Sequence, residues 1–337
     1  MKIAVVFDTL HPDWGDADYK REMAAKAAEA EYDVARALVE LGHDVRMVGV
    51  GSELAPVLAA LAEFQPKVVF NGCEAFRSSA QHEYGVAAVL EMHGYRFTGS
   101  PPTGLLVARN KSLSKKILAY HHIRVPAFAE FPQGEEAVRP SELRFPLIVK
   151  PLLEDASVGI SQASVVEDDA SLADRVKFVH EKFTQAAIVE ELIEGRELYV
   201  GLIGNARVEA LPIVEMTFGE PETADHRIAT FKAKWDEEYR KRKRIRNVFA
   251  KGLSEEVTAA IDDICTRAFH ALWLQDYGRI DLRLTHDDQV YVLEANPNPF
   301  LARENEMADA AEKAGMTYGA FVQRIVDEAL KRDHGGA

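Results

Sequence analysis

Asp281, Glu294 and Asn296 are the residues whose types and spacing most directly suggest chemistry. Two apolar runs, Tyr277 to Leu284 and Val290 to Ala295, are joined by a short polar turn over Thr285 to Asp288, and this pattern predicts a hairpin. Its register can bring Asp281 and Glu294 to one end of a sheet, and Asn296, two residues on, projects to the face of Glu294. Two carboxylates and an amide oxygen form a hard, all-oxygen donor set suited to magnesium, or to manganese, with positions left open for nucleotide phosphates. A lone acid beside a turn is ordinarily a solvated residue, but Glu294 interrupts a run that reads as buried strand, where an unpaired carboxylate is expensive. Arg279 lies beside them, either as a plain ion-pair partner or to offset charge that develops on a reacting carbonyl.

A second group lies upstream. Lys150 closes the apolar run Phe145 to Val149, and Lys111 opens a basic helix after Arg109-Asn110. Such lysines can clamp phosphate oxygens. Ser157, in the small-residue turn Ala156 to Ile160, can fold backbone N–H groups over phosphates. A third group runs from Val189 to Glu197 and offers backbone groups to a purine ring and a carboxylate to ribose hydroxyls. Neither a Gly-x-x-x-x-Gly-Lys-Ser/Thr loop nor a Gly-x-Gly-x-x-Gly motif is present, so nucleotide binding by either of those devices is unsupported.

The elements that must position these groups follow from periodicity. Ile3 to Phe7 reads as a buried strand, Glu22 to Leu41 as a helix, Asp44 to Val50 as a strand, Leu54 to Phe64 as a helix, Lys67 to Asn71 as a strand, and Glu83 to Met92 as a helix. A short strand over Tyr95 to Thr98 completes an alternation that predicts a doubly wound parallel sheet. Beyond Pro102 the order changes to a helix over Asn110 to Tyr120 and strands over Phe145 to Lys150, Ser161 to Val166, Ala187 to Leu192 and Glu197 to Ile203. A helix over Ser171 to Lys182 interrupts those strands, and helices over Ser254 to Trp273 and Tyr318 to Arg332 flank the hairpin. The fold class expected is α/β with α+β units. The expected divisions are 1–105, 106–205 and 206–337, the last with a polar lid over about 218–249.

The 337 residues exceed what one core usually serves, and 47% hydrophobic with 28% charged is a globular balance. A net charge of -14 argues against nucleic acid and anionic membrane as partners, although Lys241 to Arg246 is locally basic. Cys73 and Cys265 form neither a disulfide framework nor a zinc spacing, and the first apolar run is too short for a signal or a membrane span. A cytoplasmic protein is expected. His121-His122 reads as an exposed pair.

Taken together and in chain order, these groups resemble the ATP-grasp superfamily and, within it, the D-alanine:D-alanine ligase family. The resemblance runs from Val69 to about Asn298 through Phe70 to Glu74, Phe97 to Ser100, Val149-Lys150-Pro151, Ser157-Val158-Gly159, Val189 to Glu197, Ala233-Lys234-Trp235, Arg279-Ile280-Asp281 and Glu294 to Pro297. It implies an ATP-grasp fold whose central and C-terminal units clasp ATP, and an enzyme that makes an acyl phosphate and transfers it to an amine. Lys111 and Lys150 would hold phosphates, with Ser157 in the loop over them. Glu190, Glu191, Ile193 and Glu197 would line the adenine and ribose site, Asp281, Glu294 and Asn296 would bind magnesium, and Arg279 would stabilise the tetrahedral intermediate. Lys234 would sit in the mobile loop, and a homodimer through the first unit is the implied assembly.

The resemblance also implies departures. Glu74 stands where many members carry a positioning His, Trp235 stands for a lid Tyr, and the early steering Glu is displaced to Glu22 or Glu29. Asp8 to Asp18 reads as an acidic insertion. Pro297-Asn298-Pro299-Phe300 replaces Thr-x-Pro-Gly, and Leu301 to Asn305, with Arg303, replaces a Ser-containing segment. Glu74, Trp235, Asn298 and Arg303 are therefore the expected substrate residues, for an amino acid or other small carboxylate and an amine. An authentic D-alanine:D-alanine ligase and a non-catalytic ATP-binding regulator are the alternatives.

Overall fold

The structure is a computed structural model that describes residues 1–9, 30–219 and 226–332. The expectations on Glu22, Glu29 and most of the Asp8 to Asp18 segment lie outside them.

β1 (Lys2–Asp8) is buried along its apolar run because it is the middle strand of a parallel sheet, flanked by β2 (Asp44–Val50) and β3 (Val68–Asn71). Its side chains alternate between two layers. Ala4 and Val6 meet Leu61, Val86 and Leu90 from the helices Ala55–Phe64 and Glu83–Met92 on one face. Ile3, Val5 and Phe7 meet Val34 and Leu38 of the helix Ala30–Glu40 on the other, with Phe321, Val322, Ile325 and Val326 of the helix Tyr318–Lys331. Tyr95 to Thr98 makes a single parallel bridge, Val69 to Phe97, in place of the expected strand.

The helix Pro102–Arg109 was not among the expected elements. Proline at its first turn needs no N–H partner, so Pro101-Pro102 opens a helix there and does not mark a linker. The next helix, Lys111–Tyr120, starts where the Asn110 side chain accepts from the Leu113 N–H at 2.9 Å.

An antiparallel sheet of four strands follows in the order β4 (Phe128–Phe131), β7 (Ala187–Glu191), β5 (Leu147–Pro151), β6 (Val165–Val166). The helix Asp169–Phe183 covers it with Leu172, Val176 and Val179. The strand expected over Ser161 to Val166 shrinks to its last two residues. The Ser161 N–H donates to Ser164 Oγ at 3.0 Å and the Ser161 side chain caps a short 3-10 turn, so local serine hydrogen bonds displace the ladder.

The third sheet runs β11 (Arg246–Phe249), β10 (Val214–Thr217), β8 (Arg196–Gly204), β12 (Asp276–Leu284), β13 (Val290–Asn296), with β9 (Val208–Ala210) beside β8. The helix Glu255–Ala271 buries Ile261, Cys265, Ala268 and Phe269 against it. Within the expected lid stretch, the helices Phe231–Trp235 and Glu237–Lys243 are capped by Thr230 and Asp236, and β11 adds to the sheet edge. Among the described residues, no helix is long and apolar enough to cross a membrane.

Candidate active site

The hairpin forms in the register that the chemistry requires. Asp281 of β12 pairs with Glu294 of β13, and Arg279 pairs with Asn296; a bulge follows Asp281. The Arg279 guanidinium donates to both Asp281 oxygens, at 2.7 and 3.1 Å, and the Asn296 amide nitrogen donates to Asp281 Oδ1 at 3.1 Å. Lys111 Nζ lies 3.0 Å from Glu294 Oε1, and Lys234 Nζ lies 3.7 Å from Asp281 Oδ2. Burial pushes the Glu294 carboxyl up, but Lys111 and then Lys234 outweigh it and hold the group down to about 2. Burial likewise pulls Lys111 down, and Glu294 with Asp155 more than offsets it. Both groups are therefore charged throughout the neutral range.

Two clefts meet at this hairpin. The first, of about 570 Å³, lies between the four-stranded sheet and the large sheet and is lined by Lys150, Ser157, Glu190, Glu191, Ile193 and Glu197, with Lys234, Asp281 and Glu294 at its inner end. Lys150 Nζ is 2.8 Å from Glu190 Oε2. Ser157 sits in the turn after β5 with φ +61°, next to Ala156 at +53° and Gly159 at +77°, so three residues of this loop are left-handed. That conformation turns the backbone over the cleft mouth. The loop is tied to the short helix Phe231–Trp235: the Trp235 indole N–H donates to the Ala156 carbonyl at 2.9 Å, and the Phe231 N–H to the Ile160 carbonyl at 3.1 Å.

The second cleft, of about 1140 Å³, is reached past Lys234 and is lined by Glu74, Trp235, Arg279, Asn296 and Asn298. Its walls also carry Glu83, Arg109, Glu154, Asp155 and Glu306, none of which the sequence singled out as site residues. Arg109 pairs with Glu83 and lies 2.9 Å from Asp155. Asn298 donates to the Cys73 carbonyl at 3.0 Å and accepts from the Tyr277 hydroxyl at 2.7 Å, which fixes its amide. Glu74 stays open to the cleft, yet the recessed walls, then Asp8 and Asp155, raise its carboxyl to about 7 against a smaller opposing pull from Arg109. Burial raises Glu83 to about 7 in spite of Arg109.

Arg303 lies in neither cleft. Its backbone N–H donates to Asp33 Oδ2 at 3.0 Å, and its guanidinium stacks 4.5 Å from the Tyr318 ring centroid, so it fastens the loop after β13 to the helix Ala30–Glu40. Lys241 pairs with Glu237 one helical turn away on the exposed face of the helix Glu237–Lys243, at 3.3 Å. Glu83 was legible only as a helix start, and nothing in its neighbours shows that it is 3% exposed. Lys115 carried a signal that went unread: it follows Lys111 by one helical turn and so shares its face.

A magnesium ion is compatible with these donors. Among the described residues no three acids, histidines or cysteines gather at one point, so the protein itself offers two carboxylates and the Asn296 oxygen. A sparse oxygen set of this kind suits an ion that keeps several water or phosphate ligands.

A deep cleft between two antiparallel sheets, floored by lysines and ending at paired acids, defines an ATP-grasp ligase, an enzyme that forms a carbon–nitrogen bond. The model of the D-ala D-ala ligase C-terminus matches residues 116–327, and the chain belongs to that family. An uncharacterized protein, y4sG, of Sinorhizobium fredii is 33% identical over 90% of this chain and 88% of its own length. A D-alanine--D-alanine ligase of Bordetella petrii is 29% identical over 90% and 87%, and one of Aquifex aeolicus is 28% identical over 93% and 97%. The crystal structure of D-alanine--D-alanine ligase from Bacillus anthracis complexed with ATP shares the fold, with a TM-score of 0.74 over 98% of both chains at 20% identity.

Proposed function

We propose that the chain uses ATP and magnesium to phosphorylate a substrate carboxylate and then joins that carbonyl to an amine. The observation that carries this reading is the β12–β13 register, which sets Asp281 against Glu294 where the two clefts meet. In this reading the first cleft takes the nucleotide. Glu191, Ile193 and Glu197 line its adenine and ribose end, Lys111 and Lys150 hold phosphates, and Ser157 lies in the covering loop. Magnesium held by Asp281, Glu294 and Asn296 would neutralise phosphate charge. Arg279 faces the second cleft and stabilises the oxyanion that forms when the amine attacks, while Lys234 on the lid meets the phosphate from the other side. The lid excludes water, which would otherwise hydrolyse the acyl phosphate.

The second cleft supports an amine substrate with a further positive charge in preference to D-alanine. Glu154, Asp155 and Glu306, with Glu74 and Glu83 ionised in part near neutral pH, face Arg109, Lys234 and Arg279, and all three cations are already engaged, by Glu83, Asp155 and Asp281. A cationic group placed beside Glu74 relieves that excess. The test is ADP release and product mass from the purified chain with ATP, magnesium chloride and single amino acids. Greatest turnover with a dibasic amine donor supports the reading. D-alanyl-D-alanine as the best product overturns the substrate class, and absence of ADP release with every carboxylate overturns the ligase.

A further inference from the structure

Lys115 is 1% exposed, among the most deeply buried charged side chains of the described residues, and no step above uses it. It projects from the helix Lys111–Tyr120 one turn after Lys111 and touches both sheets that form the first cleft. Its Nζ lies 3.3 Å from Glu190 Oε1 on β7 and donates to the Leu293 carbonyl on β13 at 2.5 Å. Glu190, also 1% exposed, holds Lys150 through its other oxygen at 2.8 Å. One carboxylate therefore lies between two ammonium groups, and only Lys150 opens to the cleft.

We propose that Lys115 is a positioning residue for the nucleotide: it takes up part of the Glu190 charge, and so leaves Lys150 with the positive charge that a phosphate needs. Without Lys115, Glu190 and Lys150 form a closed neutral pair. Opening that pair to admit a phosphate strands a carboxylate with no counter-charge, and a buried charge left alone is strongly unfavourable. With Lys115 present, Glu190 keeps a partner while Lys150 swings between carboxylate and phosphate. A purely structural role would show in the melting temperature alone, since removing one partner of a buried pair destabilises the fold without changing what Lys150 offers to a phosphate. The bond to Leu293 places the same ammonium one residue from Glu294, so the floor lysine also sets the separation of the two sheets at the phosphate end.

The inference rests on the reading of the first cleft as the nucleotide site, and one titration separates the two. ATP binding to the full chain is measured by calorimetry in magnesium buffer for the wild type, Lys115→Met, Lys115→Gln and the double variant Lys115→Met with Glu190→Gln, alongside melting temperature and initial rates. No ATP binding by the wild type removes the site reading itself. Given wild-type binding, we expect Lys115→Met to weaken ATP about tenfold, with the loss in KM for ATP and kcat changed by less than about threefold. Lys115→Gln, which retains a donor for Leu293, is expected to weaken ATP to the same extent. Removing both charges frees Lys150, so the double variant, although it also alters a residue that lines the cleft, is expected to bind ATP at least about threefold more tightly than Lys115→Met. It also keeps the test open should either single variant not fold, because the buried carboxylate is then removed together with the buried ammonium and Lys150 remains at the cleft. The inference is overturned if the single variants bind ATP as the wild type does, whatever their melting temperature, or if the double variant binds ATP no more tightly than Lys115→Met.

Discussion

Glu294→Gln removes one charge from the point where both clefts meet and keeps the shape of the side chain. In the wild type Glu294 lies 3.0 Å from Lys111, whose side chain is 5% exposed, and Asp155 at 3.5 Å is the other acid that Lys111 touches. At that separation and an effective dielectric constant of about 20, the direct attraction is on the order of 5 kcal/mol. Net of desolvation, breaking one side of a buried pair costs about 3 to 5 kcal/mol. The depressed Glu294 carboxyl agrees: a fall from 4.5 to about 2 corresponds to about 3 kcal/mol. The variant is therefore expected to unfold at lower urea, with the midpoint shifted by that energy divided by the slope of unfolding free energy against urea. Catalysis should suffer separately, since the amide brings no negative charge to the ion and leaves Asp281 as the one carboxylate of the set. ADP release at saturating ATP, followed across a magnesium titration, is expected to need at least about tenfold more metal and to fall by about a hundredfold or more. Urea unfolding with ADP release as a parallel readout distinguishes the two losses. If Glu294→Gln turns over with the magnesium dependence of the wild type, the metal-binding role of the hairpin is wrong, whatever happens to stability.

Trp235→Phe deletes the indole hydrogen bond to the Ala156 carbonyl, worth about 1 kcal/mol at a half-exposed position, and is expected to raise ADP release in the absence of amine about two- to fivefold relative to coupled product. Gly159→Ala puts a Cβ at φ +77°, 2.7 Å from Pro151 Cγ and 2.8 Å from Phe183 Cζ, and is expected to lose about 2 to 4 kcal/mol in a urea titration. Glu83 carries the pH prediction. Its folded pKa of about 7 lies above the ordinary 4.5, so the folded chain keeps a proton that the unfolded chain releases. Its contribution to stability is thus full below about 4.5 and is lost as the pH rises through about 7. Urea midpoints measured from pH 5 to pH 8 should fall, and Glu83→Gln should flatten the fall.

The parts of the fold legible in the sequence were those where one local pattern decides the outcome. The run Ile3 to Phe7 has no helical period and sits mid-sheet, and the two halves of the hairpin alternate around a four-residue turn, so Asp281 and Glu294 came out opposed. Patterns with two local solutions were misread. Ser161 to Ser164 has the composition of a strand edge but bonds to its own backbone, and Pro101-Pro102 looks like a break although proline is at ease in a first helical turn. β10 and β11 are short and half-buried; β10 forms against β8 and β11 against β10, so each owes its pairing to a neighbour more than to its own residues. The site divides in the same way. Lys150 and the Val189 to Glu197 segment announce themselves by their place at or beside strand ends. Glu83, Arg109 and Asp155 come from three separate segments, and their meeting in the second cleft depends on how those segments pack, which no local pattern encodes. Arg303 shows the converse: position in an aligned loop suggested a substrate role, whereas the side chain leaves the cleft for Asp33 and Tyr318.

The helix Tyr318–Lys331 supplies Phe321, Val322, Ile325 and Val326 to the layer that covers Ile3, Val5 and Phe7. A nascent chain that has left the ribosome only as far as residue 300 thus has its earliest strands made but one of their faces covered by the helix Ala30–Glu40 alone. Completion of that layer waits for the last helix to be synthesised, and Arg332, 3.1 Å from the buried Asp276, then fastens it across to the catalytic sheet. Translation arrested before Tyr318 should accordingly leave a protease-sensitive amino-terminal segment, and emergence of the helix Tyr318–Lys331 should be the event that makes it resistant.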